Sequence, residues 1–150
     1  MEKLKKYVLS SRFLFIAVLV LSTIVLLLML LPDTGSLLGP NIFIFWILLA
    51  FSGIGLAIIT YRERISGKIK FFLLSSGFSS AGFLLGVVLH NAFYALGTLA
   101  EDLVILHGFL NFLEVVFFFA AVIICPIGLI VGEVGTLILW KKMPADKNDG

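Results

Sequence analysis

Four long apolar segments constrain the fold of this 150-residue chain more than any other feature. They cover residues 11–31, 41–61, 69–97 and 108–140. Each is long enough to cross the ~30 Å hydrocarbon core of a bilayer as a helix, which takes about 20 apolar residues. The runs are continuous, whereas a membrane β-barrel shows alternating segments of about ten residues. The sequence therefore predicts an all-α integral membrane protein, a bundle of four transmembrane helices in one domain (residues 1–142).

The composition agrees with this fold class. Hydrophobic residues make up 61% of the chain and charged residues 13%, whereas a soluble globular domain carries about 25% charged residues. The single cysteine, Cys125, excludes an internal disulfide, a redox pair of cysteines and a multi-cysteine metal site. The polar residues 143–150 are predicted to form a disordered cytoplasmic tail.

The distribution of charge predicts how the chain crosses the membrane. All 11 lysines and arginines fall in residues 1–12, 62–70 and 141–147, which four crossings place on one side. The opposite side carries acids, including Asp33, Glu101 and Asp102. Because basic residues concentrate on the cytoplasmic side, both termini are predicted to be cytoplasmic. The strict bias and the lack of a eukaryotic targeting segment favour a prokaryotic plasma membrane.

The link between the third and fourth segments carries helix-end signals. Gly97 suits a helix C-cap, and Thr98 and Glu101 have the spacing of a capping box. The sequence thus predicts a short extracytoplasmic helix from Thr98 to His107. Gly108 would then turn the chain into the last span.

Small residues recur at intervals of four in the last two segments, at Gly82 and Gly86 and at Gly128 and Gly132. This spacing lets helix backbones approach closely. We interpret it as packing within one chain, with an oligomer interface as the alternative. Pro126, in the same span, is predicted to kink the helix because it removes one backbone hydrogen bond.

Glu133 is an acid inside the fourth span. It lies seven residues before Trp140, so about 10 Å inside the interface at helical rise. An acid at such depth raises the free energy of membrane insertion by roughly 2.5–3.5 kcal/mol, and it usually faces the protein interior or water. A hydroxyl-lined pocket around this carboxyl would make a proton or cation site, and the alternative is a hydrogen bond that only joins helices. The hydroxyls at comparable depth on the third span belong to Ser75, Ser76 and Ser79.

A second set of polar residues lies at the predicted extracytoplasmic ends of the last two spans. Neutral imidazoles with carboxylates are ligands for transition metals, and two histidines could ligate a haem. A metal or haem is therefore the cofactor hypothesis, and an ordinary hydrated interface is the alternative. The candidate ligands are His90, Glu101, Asp102, His107 and Glu114.

No catalytic signature accompanies these residues. The chain has no phosphate-binding glycine loop, no metalloprotease motif and no nucleic-acid signature. The sequence favours a non-enzymatic accessory, interaction or oligomeric structural subunit, with the bilayer and a homo-oligomer or larger membrane complex as partners. The alternatives are a metal- or haem-binding protein with an extracytoplasmic site, and an oligomeric proton-coupled transporter or channel that uses Glu133.

Overall fold

The computed structural model describes residues 2–30, 42–62 and 65–140. Within the first of these ranges, side chains are described for residues 11–28. Within these ranges the chain is helical and contains no strand. Four continuous helical segments are long and apolar enough to span a membrane, the fourth being Val104–Leu139, which confirms the predicted class. The elements are α1 (Glu2–Leu30), α2 (Ile42–Arg62), α3 (Lys68–Leu99), α4 (Val104–Phe119), a π-helical turn (Ala120–Ile124) and α5 (Cys125–Leu139).

Several sequence-based expectations fall outside the described residues. They concern Asp33 in the first link, Arg64 in the second, and the basic and disordered tail over residues 141–150. The described helices otherwise follow the predicted spans closely. α2 ends one residue after the predicted end at residue 61, and α5 ends one residue before the predicted end at residue 140.

Helix α3 is the centre of the bundle, with α2 against one face and α4, the π turn and α5 against another. Glycines and small side chains make both contacts close. A Cβ atom on Gly53 would lie 2.5 Å from Ser80 Cβ and 2.7 Å from the Gly77 carbonyl oxygen. Backbones that approach this closely gain dispersion contacts, which drive helix association where lipid is as apolar as the side chains.

The glycines at intervals of four lie at the contact of α3 with the π turn and α5. Gly86 faces Ala121, Gly82 faces the Cys125 sulfur, and Gly128 lies against Ser79. The space beside Gly132 is also filled by α3, since a Cβ there would lie 2.6 Å from the Ser76 backbone nitrogen. The structure therefore places all four glycines between helices of one chain, and the alternative of an oligomer interface built on them has no structural support.

The disturbance expected at Pro126 takes the form of a π-helical turn. The backbone N–H of Cys125 donates to the carbonyl of Ala120, five residues earlier. Proline has no N–H, and its ring clashes with the carbonyl four residues before it. A widened turn just before Pro126 relieves that clash and lets the helix continue as α5.

The link between α3 and α4 differs from the prediction. Helix α3 continues through Gly97 and Thr98 to Leu99, and the Thr98 hydroxyl donates to the Tyr94 carbonyl of its own helix. Helix α4 begins at Val104. The predicted short helix from Thr98 to His107 is therefore absent, and Thr98 is not an N-cap.

Tertiary packing explains this difference. A Cβ on Gly97 would lie 2.8 Å from Asn111 Oδ1, so the glycine makes room for α4 and does not end α3. Gly108 lies inside α4, and a Cβ added there would have nothing within 4 Å, so it does not turn the chain. A capping motif describes only local preferences, and here the contact between two helices overrides them.

Two buried threonines allow a first prediction. Thr60 and Thr136 are fully buried, and neither hydroxyl has a hydrogen-bond partner among the described residues. Because an unpaired buried hydroxyl costs about 1–3 kcal/mol, Thr136→Val should raise the free energy of unfolding by about 1 kcal/mol in detergent. The matched control is Thr23→Val, which should give no gain because the exposed Thr23 hydroxyl donates to the Leu19 carbonyl.

Candidate functional site

The two ends of the bundle differ in charge. The Arg12 guanidinium lies 5.7 Å from the centre of the Trp140 ring, so the start of the apolar stretch of α1 and the end of α5 are neighbours. Lys70 Nζ lies 5.4 Å from the Tyr61 ring at the junction of α2 and α3. We call this the basic end. The link at the other end, the acidic end, carries the exposed Glu101 and Asp102.

At the acidic end, α3 and α4 extend beyond the start of α2. Gly53 contacts Ser80. Ile42, the first residue of α2, is eleven residues from Gly53, and Asn91 is eleven residues from Ser80. The start of α2 is therefore level with Asn91, and α3 continues from there to Leu99, about 12 Å further at 1.5 Å per residue.

The length of α3 exceeds the thickness of a hydrocarbon core. From Lys70 to His90 is 20 residues, or about 30 Å, which is the whole thickness of the core. An average tilt of about 20° shortens that rise by only a few per cent. We call residues 91–113 the projecting hairpin.

The projecting hairpin exposes a continuous set of large apolar side chains. Leu99 is 85% exposed, Val104 81% and Ile105 90%. A groove of about 590 Å³ runs beside the link between the two helices. Its lining consists of Asp102, Leu103, Val104, Ile105, Leu106 and Phe109.

A histidine of α4 holds the two helices of the hairpin together. His107 Nδ1 lies 2.9 Å from the Gly97 carbonyl oxygen, and Asn111 Nδ2 lies 2.9 Å from His107 Nε2. The imidazole thus donates from Nδ1 and accepts at Nε2, which is the pattern of one neutral tautomer. Both ring nitrogens are engaged, so neither is open to a metal.

His90 makes a similar contact in the other direction, from α3 to a backbone carbonyl of α4. Its Nδ1 lies 3.3 Å from the Glu114 carbonyl oxygen and 3.8 Å from Glu114 Oε1. The structure therefore brings His90 to Glu114, but it keeps His107 apart from them and leaves Glu101 and Asp102 in the exposed link. Among the described residues, no three His, Cys, Asp or Glu side chains are placed to hold a metal ion together.

Glu133 finds its hydroxyl partner on α1. Ser22 Oγ donates to Glu133 Oε1 at 2.5 Å. The serines of α3 that were expected around this carboxyl bind backbone carbonyls instead. Ser75 donates to Gly128 at 2.8 Å and Ser76 to Phe72 at 3.1 Å, while Ser79 lies against Gly128.

An apolar groove separates α1 from α5 between Glu133 and the basic end. Its volume is about 280 Å³. At its outer limit the ring centroids of Phe15 and Trp140 lie 5.5 Å apart, and about one helical turn inward from Leu19 and Leu137, Ser22 binds Glu133. The groove is lined by Phe15, Ile16, Leu19, Leu137 and Trp140.

Sequence reasoning missed the partner of Glu133. The excess length of the last two segments, in contrast, already predicts that their ends project beyond the outer membrane surface. A signal for Ser22 was its depth, because it lies ten residues inside Arg12 and Glu133 lies seven inside Trp140. The contacts of Arg12 and Phe15 with Trp140 show that these depths are measured from the same end.

Comparisons with known proteins give no relative. The chain matches no protein-family model, and neither a curated protein nor a solved structure is significantly similar to it. The function therefore has to be argued from the geometry and chemistry of these two regions.

Proposed function

We propose that this protein is a non-enzymatic interaction subunit of a larger membrane complex, and that the projecting hairpin binds the partner. The observation that carries the proposal is the set of exposed apolar side chains on the projecting hairpin, with Ile105 90% exposed at its centre. Single exposed apolar residues are ordinary on any protein surface. A continuous apolar patch is not, and it commonly marks an interaction site.

The hairpin's construction supports a docking role. Few of its side chains are used internally: Leu110 and Ala100 are the buried apolar residues between its helices. Its shape is fixed by polar contacts, since His107 and Asn111 join α4 to Gly97. The element is thus held in one conformation while most of its apolar surface stays open, which lowers the entropic cost of binding a partner.

The chemistry of the patch specifies the partner's surface. The apolar residues around Ile105 fit an apolar depression on the surface of the partner. The adjacent Glu101 and Asp102, both exposed, call for basic residues at its rim. Complementary charge of this kind fixes orientation and raises the association rate more than it raises affinity.

The orientation belongs to the same proposal. The basic end lies in the cytoplasm of a prokaryotic cell with both termini there, and the projecting hairpin lies outside the plasma membrane. Support comes from the described basic side chains, which all lie at the basic end: Arg12, Arg62, Lys68 and Lys70. Short cytoplasmic segments carry such an excess of lysine and arginine.

A cysteine-labelling experiment tests the docking role. Ile105→Cys in a Cys125→Ser background is treated with a membrane-impermeant maleimide, in native membranes and in liposomes that contain only the purified protein. We expect fast labelling in liposomes, because the residue lies in water, and at least about tenfold slower labelling in native membranes, because a partner covers it. Ser66→Cys, at the exposed basic end, is the control and should label equally fast wherever the reagent reaches that side.

Three results would contradict the proposal. Slow labelling in both preparations would place Ile105 in lipid, so that the hairpin does not project. Fast labelling in both would leave the hairpin in water with nothing bound to it. Labelling of Ser66→Cys from outside intact cells would reverse the orientation.

A further inference from the structure

We infer that the groove between α1 and α5 binds a lipophilic monocation, with its positive charge at Glu133 and its apolar body along the groove toward Trp140. This inference is independent of the docking role of the hairpin. It concerns the other half of the molecule, and none of its residues belongs to the hairpin.

Matching stripes on two helices build the groove. On α1 the residues Phe15, Leu19 and Ser22 follow one face, at intervals of four and three. The facing stripe, which runs antiparallel, consists of Glu133 and Leu137 of α5 and Trp140 directly after it, also at intervals of four and three. The outer pair are rings tilted by 41° to each other, the middle pair line the groove, and the inner pair share a hydrogen bond.

The groove's surface determines what kind of molecule fits. All five lining side chains are apolar or aromatic, and α1 and α5 barely touch elsewhere, so the space is open to the lipid between them. A ligand there must be apolar over most of its surface. The volume of about 280 Å³ is near the lower bound of small-molecule pockets, about 300 Å³.

The carboxyl group of Glu133, one helical turn inward from Leu137, determines the charge of the ligand. Ser22 uses only Oε1 of Glu133, and Oε2 has no hydrogen bond among the described residues. A carboxylate among apolar groups attracts a cation strongly, because the low dielectric hardly screens the charge. An anion would be repelled. The aromatic faces of Phe15 and Trp140 add favourable contacts for an organic cation.

The remaining charged groups near the groove define the route of entry. Arg12 lies over Trp140 at the outer limit, and Lys70 lies on α3 at the same basic end. These cations disfavour entry of a positive ligand from the basic end. The open side between α1 and α5 faces lipid, so the ligand enters from the bilayer, as a molecule with a delocalised charge can.

Binding of tetraphenylphosphonium to the purified protein in nanodiscs tests the inference. Trp46→Phe leaves Trp140 as the single tryptophan, so quenching of its fluorescence reports occupancy of the groove. We expect saturable quenching, and Glu133→Gln should weaken it at least about tenfold, the effect of losing a charged contact worth about 1.5 kcal/mol or more. Tetraphenylborate, a probe of the same shape and opposite charge, should not saturate.

Two further variants separate the site from general effects on the fold. Leu137→Trp, followed by equilibrium dialysis of the cation, fills the groove without changing its charge and should also weaken binding. Glu114→Gln removes a carboxyl from the hairpin and should leave binding unchanged. Equal quenching with Glu133→Gln, or equal binding of both probes, would overturn the inference in favour of partition into lipid.

Discussion

Replacing Gly132 with leucine should separate α5 from α3 and lower the free energy of unfolding by about 3 kcal/mol or more, at the upper limit of typical overpacking costs. A Cβ at this position would already lie 2.5 Å from Ser76 Oγ, 2.6 Å from the Ser76 nitrogen and 2.8 Å from the Phe72 carbonyl oxygen. Two of these three are backbone atoms of α3. They cannot move aside unless the whole helix moves, so the larger leucine has no room.

Gly108→Leu is the matched control, because Gly108 also lies inside a helix and has nothing within 4 Å of its Cβ position. It should leave stability unchanged or raise it slightly, since leucine is a better helix former than glycine by roughly 0.5–1 kcal/mol. Thermal unfolding in detergent, followed by circular dichroism, measures both. Equal losses in the two variants would show that Gly132 is not at a helix contact.

Replacing Glu133 with leucine should have the opposite effect and raise the free energy of unfolding by about 1 kcal/mol or more. An acid inside a span costs roughly 2.5–3.5 kcal/mol, and leucine removes that cost. The change does not leave the Ser22 hydroxyl without a hydrogen-bond acceptor, because the hydroxyl also lies 2.9 Å from the Leu19 carbonyl oxygen and can donate there. Leucine next to Leu137 also extends the apolar contact between α1 and α5.

Ser22→Ala gives the comparison for this prediction. It removes the hydrogen bond to Glu133 but keeps the acid, and we expect a loss of about 0.6 kcal/mol, the average for interhelical hydrogen bonds in membranes. The two variants thus change stability in opposite directions. A clear loss of stability in Glu133→Leu would mean that the carboxyl serves mainly to join α1 to α5. A gain would mean that the acid is kept at a cost to stability, as ligand-binding groups commonly are.

The number, type and approximate bounds of the spans were predictable from sequence because lipid leaves no alternative. A backbone in hydrocarbon must satisfy its own hydrogen bonds, so a long apolar run is a helix whatever surrounds it. The packing role of Gly128 and Gly132 followed from the same local information. Close approach requires small residues at one face of a helix, and their spacing is visible in the sequence.

The pairing of side chains across helices was not predictable. Glu133 was expected to meet the serines of α3, but the rotation of α5 directs it to Ser22. His107 was a candidate ligand until its nitrogens proved to be engaged by Gly97 and Asn111. In each case the local sequence gives the depth of a residue but not the neighbour it faces, since that depends on how helices distant in sequence are rotated.

The contacts of the long last helix with α3 recur every seven residues. His107, Glu114, Ala121, Gly128 and Gly135 all touch α3, and a seven-residue seam is the signature of a left-handed supercoil. Helix α3 and its partner therefore form one antiparallel pair that begins at the basic end and continues into the projecting hairpin. Such a pair behaves as a stiff lever, and within the described residues its α-helical hydrogen bonding is interrupted at Ala120–Ile124. Bending of the pair would therefore be concentrated at that turn, which lies between Ile105 and Glu133.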